Sequence, residues 1–292
     1  MIKLNSIITL CFLFILSIFS CQKEVSYEVP DDSTPNVVTS LDSNYLDRIL
    51  IVDSSNANLV DSSILVFHYD VQKRISKVVF KSITNPVDSQ LYAQFFYLAN
   101  DTLPFRAKTF TDSADYYFSY DNTGRLKKDS IINYGSTGSS NPFSTLSVNN
   151  YTYATNKIFV NGYFIDPNSA FPNPQYGIDT LFQDSRGNII TTKIYSSNTT
   201  SNYTLDKTIV STYDLKKSPY AKVPGFKVFL FTFGDFPASP TVNNFLSDII
   251  YDNSLPTNTL NYSNSYYPNG FLKKTDVTGD SQDSWTYFYK SL

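Results

Sequence analysis

The sequence predicts an all-β fold: an antiparallel meander of repeated hairpins forming one large twisted or curled sheet, with an open barrel or a sandwich as the alternative closures. Three observations carry this. Tyr and Phe each occur 23 times. Glu occurs only at Glu24 and Glu28, so every acidic residue from Asp31 onward is Asp. Asp, Asn, Ser and Thr compete with helix interiors by bonding the nearby backbone, whereas Tyr, Phe, Ile, Val and Thr suit strands. Finally, short alternating stretches recur between turn clusters from Tyr45 onward, the pattern of hairpin-connected strands rather than of βαβ units.

In chain order the clear stretches are Ile64–Tyr69, Ile75–Phe80, Leu91–Leu98, Tyr116–Tyr120, Leu126–Tyr134, Tyr151–Tyr153, Ile158–Phe164, Ile189–Tyr195, Thr208–Tyr213 and Thr286–Tyr289. In each, residues two apart share one sheet face. One segment breaks the alternation. Phe226–Phe236 reads FKVFLFTFGDF between Pro224 and Pro237. Periodicity does not separate strand from helix over that length. It is expected to plug the core as a strand or short helix, the sharper alternative being an apolar recognition loop or pocket wall.

The turns between strands recur in kind. Phe118-Ser-Tyr-Asp-Asn-Thr-Gly-Arg-Leu126 has parallels in Phe67-His-Tyr-Asp-Val-Gln-Lys-Arg-Ile75, Ser265-Tyr-Tyr-Pro-Asn-Gly-Phe-Leu272 and Gln183-Asp-Ser-Arg-Gly-Asn-Ile189, with Tyr151–Ile158 as a shortened variant. The Asp accepts bonds from turn amides, and Gly124, Gly187 and Gly270 stand where a type I turn closes with a left-handed residue. Lys73 replaces that glycine in one copy. A left-handed lysine costs roughly 1 kcal/mol or more, so a different turn is expected there. The aromatic-x-Tyr-Asp-x-x-Gly-Arg-Leu pattern resembles the YD repeat of Rhs-type shells and of many uncharacterised Bacteroidota lipoproteins. That resemblance implies a β-hairpin array and no particular activity. The copies are few and irregularly spaced, so a single curled sheet is expected rather than a large encapsulating shell.

The first residues give an address. Lys3 precedes an apolar run, Ile7 to Phe19, broken only by Thr9 and Ser17. As a helix this run spans about 20 Å, too short for a hydrocarbon core of about 30 Å but suited to a signal peptide. It ends in Ile18-Phe19-Ser20-Cys21, which resembles the lipobox of bacterial lipoproteins. The expected layout is a signal peptide at 1–20, a flexible tether at 21–40 rich in Pro and Asp, and a single β-rich domain at 41–292. The resemblance implies lipidation of Cys21 and membrane attachment through that anchor. The only other cysteine, Cys11, would leave with the signal peptide. Gln22 rather than Asp after Cys21 favours the outer membrane, and Gln22-Lys23-Glu24 looks like the charged export signals of surface lipoproteins, with the periplasmic face as the alternative.

Net charge is −3 with a pI of about 5.1 and no basic block, which argues against a nucleic-acid partner. His68 is the only histidine, which excludes a multi-histidine zinc site. It reads as a sheet-face residue. An acid pair for glycoside hydrolysis would need two Asp, such as Asp112 with Asp115 or Asp280 with Asp283, all in turn-like contexts. Asp276–Asp283 is oxygen-rich but lacks the spacing of a calcium loop. Tyr92, Phe96, Tyr116, Tyr266, Tyr267 and Trp285 are candidates for a sugar-stacking platform or, more plainly, for core. No catalytic residue, metal ligand or cofactor is assigned. The expectation is a non-enzymatic, lipid-anchored envelope protein presenting a hairpin surface for binding or scaffolding, to a glycan or protein partner. The alternatives are a glycan-binding accessory lipoprotein of a nutrient-uptake system and an Asp-pair hydrolase.

Overall fold

The computed structural model describes residues 44–292, except 57–58, 84–88, 111–112, 135–144, 168–173, 198, 200, 234–241, 253–254 and 280–282. The signal peptide, the tether and Cys21 therefore lie outside the described residues. Sixteen strands follow one another: β1 (Asn44–Asn56), β2 (Leu59–Tyr69), β3 (Ile75–Ser82), β4 (Ser89–Phe96), β5 (Arg106–Thr109), β6 (Ala114–Tyr120), β7 (Leu126–Asn133), β8 (Thr145–Ala154), β9 (Lys157–Ile165), β10 (Gln175–Gln183), β11 (Ile189–Ser197), β12 (Thr204–Lys217), β13 (Asn243–Asp252), β14 (Leu255–Tyr266), β15 (Leu272–Thr278) and β16 (Asp283–Ser291). Each pairs antiparallel with the next, as the meander reading expected. The sheet then closes. β16 returns to β1, with Tyr287 opposite Ile49 and Trp285 opposite Ile51.

A barrel widens with strand number, and sixteen strands leave a lumen that side chains alone do not fill. The chain fills one end with its own helix. Between β12 and β13 a short 3-10 turn, Pro219–Lys222, leads into α1 (Pro224–Phe233). Pro224 opens α1, where its missing N–H costs nothing. Phe226, Phe229 and Leu230 are buried on α1. Phe226 meets Phe67 edge-on at 4.9 Å, and Phe229 meets Phe95 at 5.6 Å and Tyr116 at 5.1 Å. The expected plug is thus a helix, and its aromatic contacts fix which strand face points inward: Phe67 and Leu65 on β2, Phe95 on β4, Tyr116 and Phe118 on β6.

The hairpin turns that the sequence repeats all lie at this plugged end. In three of them the Asp carboxylate accepts backbone amides: Asp70 from Gln72 and Arg74, Asp121 from Thr123 and Arg125, and Asp184 from Arg186 and Asn188, each at 2.9 Å. Gly124, Gly187 and Gly270 have φ of 80°, 91° and 84°. Lys73 was expected to force a different turn, and it does not. It takes φ 62° and donates its amide to the Asp70 carbonyl at 3.0 Å, as Gly124 does to Asp121. The carboxylate bonds of Asp70 hold the loop closed and outweigh the local strain.

The apolar residue that opens the strand after each turn is tied down by a tyrosine of the following strand or its exit loop. Tyr97, Tyr153, Tyr213 and Tyr289 donate their hydroxyls to the carbonyls of Ile75, Leu126, Ile189 and Leu272, at 2.8, 2.8, 2.6 and 3.0 Å. This seals the plugged rim and explains part of the tyrosine excess.

The YD-repeat, Rhs-like reading is corrected by this topology. Turn chemistry dictates how two neighbouring strands are joined. It does not dictate where the sheet ends, and here the strands close on themselves into one barrel instead of an open hairpin array.

Candidate functional site

Away from α1, the lumen wall changes character. On β7 to β11 polar and bare inward positions are set among apolar ones such as Ile158, Val160 and Leu181. Asp129 is fully buried opposite Phe118, and accepts bonds from the Tyr151 hydroxyl at 2.5 Å and the Asn149 amide at 3.0 Å. Burial pushes its carboxyl up to about 6, against which the bonds from Tyr151 and Asn149 act.

Asn149 faces Gly162 across the β8–β9 ladder, and Gly162 faces Gly177 across β9–β10. Asn149 Oδ1 occupies the space a Cβ at Gly162 would need, 2.2 Å from that position. Two glycines side by side leave a stretch of wall with no side chain. The result is a cleft of about 220 Å³ lined by Ser147, Asn149, Gly162, Phe164, Gln175 and Asp179, among others. Asp179 stands two residues along β10 from Gly177, on the same inward face. Burial alone raises its carboxyl to about 6, with no neighbouring charge contributing. A second void, about 30 Å³, lies under the 3-10 turn against Tyr220, Asn244, Tyr262 and Tyr287, room for a single water-sized group.

The outer face is different again. Lys77 and Lys81 on β3, Arg106 and Lys108 on β5, Lys128 on β7, Lys193 on β11, and Lys274 with Asp276 on β15 alternate with inward residues and so point away from the lumen. Arg106 bonds Asp115 at 2.7 Å, and Lys274 pairs with Asp276 at 2.8 Å. The outward row of β8 to β11 is more aromatic, with Phe159, Tyr163, Tyr176, Phe182 and Tyr195, yet Thr152, Asn161, Thr180 and Lys193 are set among them.

The residues singled out from sequence are scattered. His68 faces outward opposite Lys77, and its burial together with Lys77, Lys290 and Lys81 holds its pKa below the usual value. Asp115 is engaged by Arg106 and by the Tyr134 hydroxyl at 3.0 Å. Asp112 and Asp280 lie outside the described residues. The six platform aromatics do not gather: Tyr92 and Tyr116 are core against Phe229, Tyr266 and Trp285 pack on the core, Phe96 lies under the Arg106 guanidinium, and Tyr267 meets Tyr289 edge-on and donates to the Tyr287 carbonyl at 3.0 Å. Among the described residues no group of three or more His, Cys, Asp or Glu gathers where a metal ion would be held. Asn149, Gly162, Gly177 and Asp179 were not singled out. The available signal was a pair of glycines inside otherwise β-rich runs, which marks close backbone approach or a missing wall.

A solved structure shares this fold. A porin-like protein from Bacteroides vulgatus matches over 85% of this chain and 100% of its own, with TM-score 0.57 at 9% identity. The barrel fold is shared. A second porin-like protein, from Bacteroides uniformis, matches over 84% of this chain and 96% of its own, with TM-score 0.46 at 9% identity. No protein-family model and no curated protein matches the sequence. The likeness is to a closed barrel, which again sets aside the YD-repeat array.

Proposed function

We propose that the chain is a lipid-anchored envelope protein, non-enzymatic, whose barrel stands in water beside the outer membrane and binds a guest in its lumen. The observation that carries this is the charge on the barrel's outer wall. A membrane barrel presents an outward apolar band roughly 25 Å tall, and a Lys or Arg at its midplane costs about 2–4 kcal/mol. Here β3, β5, β7, β11 and β15 all turn cations outward, and the outward aromatics of β8 to β11 are interrupted by Thr152, Asn161, Thr180 and Lys193, while Phe67, Phe95 and Tyr116 are gathered inside around α1. A wall so interrupted presents no continuous apolar band to lipid. Attachment then falls to the Cys21 anchor, and the tether gives the barrel its reach.

The test is fractionation. Labelled palmitate should be incorporated into the full chain and not into a chain whose residues 1–21 are exchanged for a signal sequence that leaves no lipidated cysteine. The exchanged chain should be exported and recovered soluble. If it still resists alkaline carbonate extraction, the barrel itself is in lipid and the proposal fails.

A further inference from the structure

We infer that the lumen cleft between β8 and β11 binds a small molecule carrying an ammonium group, with Asp179 as its counter-ion. The inference rests on the reading of the barrel as a water-facing binding protein and names the guest.

Three features of the wall converge on it. Asp179 faces the cleft with no hydrogen-bond or ion-pair partner among the described residues, and a carboxylate is an acceptor only. Asn149 is oriented by its own donation to Asp129, which commits one of its two Nδ2 hydrogens and leaves Oδ1 over Gly162 as a second acceptor. The hydroxyls of Ser147 and Ser196 adapt to either role. The amides of Gln175 and Asn149 answer either a donor or an acceptor, so the group of the cleft that selects is the carboxylate. Its complement is a cation that donates, and a primary ammonium has three donors and no acceptor. A neutral polyol leaves the charge of the carboxylate unanswered. A divalent metal needs several carboxylate or carbonyl ligands, and Asp179 supplies one.

The paired glycines give the guest its place. A Cβ at Gly177 would find only the Tyr195 carbonyl, at 3.7 Å, so the bare wall there is not forced by crowding. At about 220 Å³ the cleft is smaller than the roughly 300 Å³ at which pockets for drug-sized ligands begin, so the guest is small. The Phe164 ring at the mouth offers a face to the guest's carbon skeleton.

The test is calorimetric titration of the full lipidated chain, in detergent, at neutral pH. The probes are putrescine and tyramine, each against a neutral partner of the same skeleton, 1,4-butanediol and tyrosol, with glucose as a separate arm. The amines should bind about tenfold or more tightly than their neutral partners. Asp179→Asn should weaken the amines by about tenfold or more and leave the neutral partners unchanged. Gly177→Leu, whose side chain would fill the cleft, should abolish amine binding with the barrel's circular dichroism intact, and decides the matter if Asp179→Asn does not fold. Equal affinity for amine and alcohol, tight glucose binding without amine binding, unchanged binding in either folded variant, or no amine binding at millimolar concentration would each overturn the inference. Failure here is separable from failure of the broader reading, which the fractionation decides by itself.

Discussion

Arg125 lies over the ring of Tyr153, its guanidinium carbon 4.4 Å from the centroid, while the Tyr153 hydroxyl donates to the carbonyl of Leu126. Arg74 and Tyr97 repeat the arrangement, also at 4.4 Å, with the hydroxyl on Ile75. In these two turns the arginine is thus clasped by an aromatic of the next strand or its exit loop, and the same aromatic pins the first residue after the turn.

Tyr153→Phe keeps the ring under Arg125 and loses the bond to Leu126. It should lower stability by about 1 kcal/mol. Tyr153→Ala loses both, and its effect should be non-additive with Arg125→Ala by roughly 0.5–1 kcal/mol, whereas Tyr153→Phe and Arg125→Ala should add. Urea melts of the three single and two double variants check this.

The plug should be the costliest place to cut. Phe229 is fully buried and touches Tyr92, Phe95 and Tyr116. Phe229→Ala leaves a cavity that the stiff barrel wall does not collapse into, and should cost about 3–5 kcal/mol. Denaturant unfolding measures it.

Turn strain should be exposed by exchange in both directions. Lys73 holds φ 62° without being glycine. Lys73→Gly should stabilise the barrel by up to about 1 kcal/mol, offset in part by loss of its Nζ bond to the Leu292 carbonyl. Gly124→Ala, at φ 80°, should destabilise by about 1 kcal/mol. A melting series that ranks the two alike would mean that the turns differ after all.

How much of this was readable in advance differs by range. The turns were readable because Asp121 and Gly124 act on each other within four residues, and the plug because FKVFLF cannot stay in water. The strands β1, β5, β10, β13, β14 and β15 were less so, since runs such as Leu255–Tyr266 mix Asn, Ser and Thr with few apolar residues and their inward face is set by neighbours. A barrel stood among the expected closures, but which strands would meet was not readable: that depends on Ile49 meeting Tyr287 from distant parts of the chain, and no local pattern encodes that register. The cleft followed closure into obscurity: Asp179 reads as one Asp among many until the register places it beside Gly177 on the inner face.

Acidity should act on the barrel in two opposed windows. The folded protein holds Asp129 and Asp179 near 6, above the ordinary 3.8, so it binds their protons more readily than the unfolded chain. Their contribution to stability is complete below about pH 4 and is lost as pH rises through about 6. For Asp129 the loss is about 3 kcal/mol, of which bonds from Tyr151 and Asn149 already limit the size. Asp121 lies below the ordinary value because the Thr123 hydroxyl, the turn amides and Arg125 bond it, and Asp70 and Asp184 do so because turn amides, their arginines and, for Asp184, the Asn188 side chain outweigh desolvation, so all three withdraw stability as pH falls below about 4. The melting temperature should therefore peak near pH 5 and fall toward neutrality. Asp129→Asn should flatten that fall, and a wild-type melting temperature that climbs from pH 5 to neutrality would contradict the buried acid's role.

The seam between β1 and β16 bears on how the molecule is made. Of the sixteen strands β1 comes first and β16 last, so one edge of β1 keeps an unpaired ladder of amides and carbonyls until β16 joins it. Loss of β16 would leave two such ladders, on β1 and β15, each able to recruit another molecule's strand. Chains without β16 should therefore be harmful less through a missing piece of wall than through stickiness, and β16 is the strand on which the solubility of the others depends.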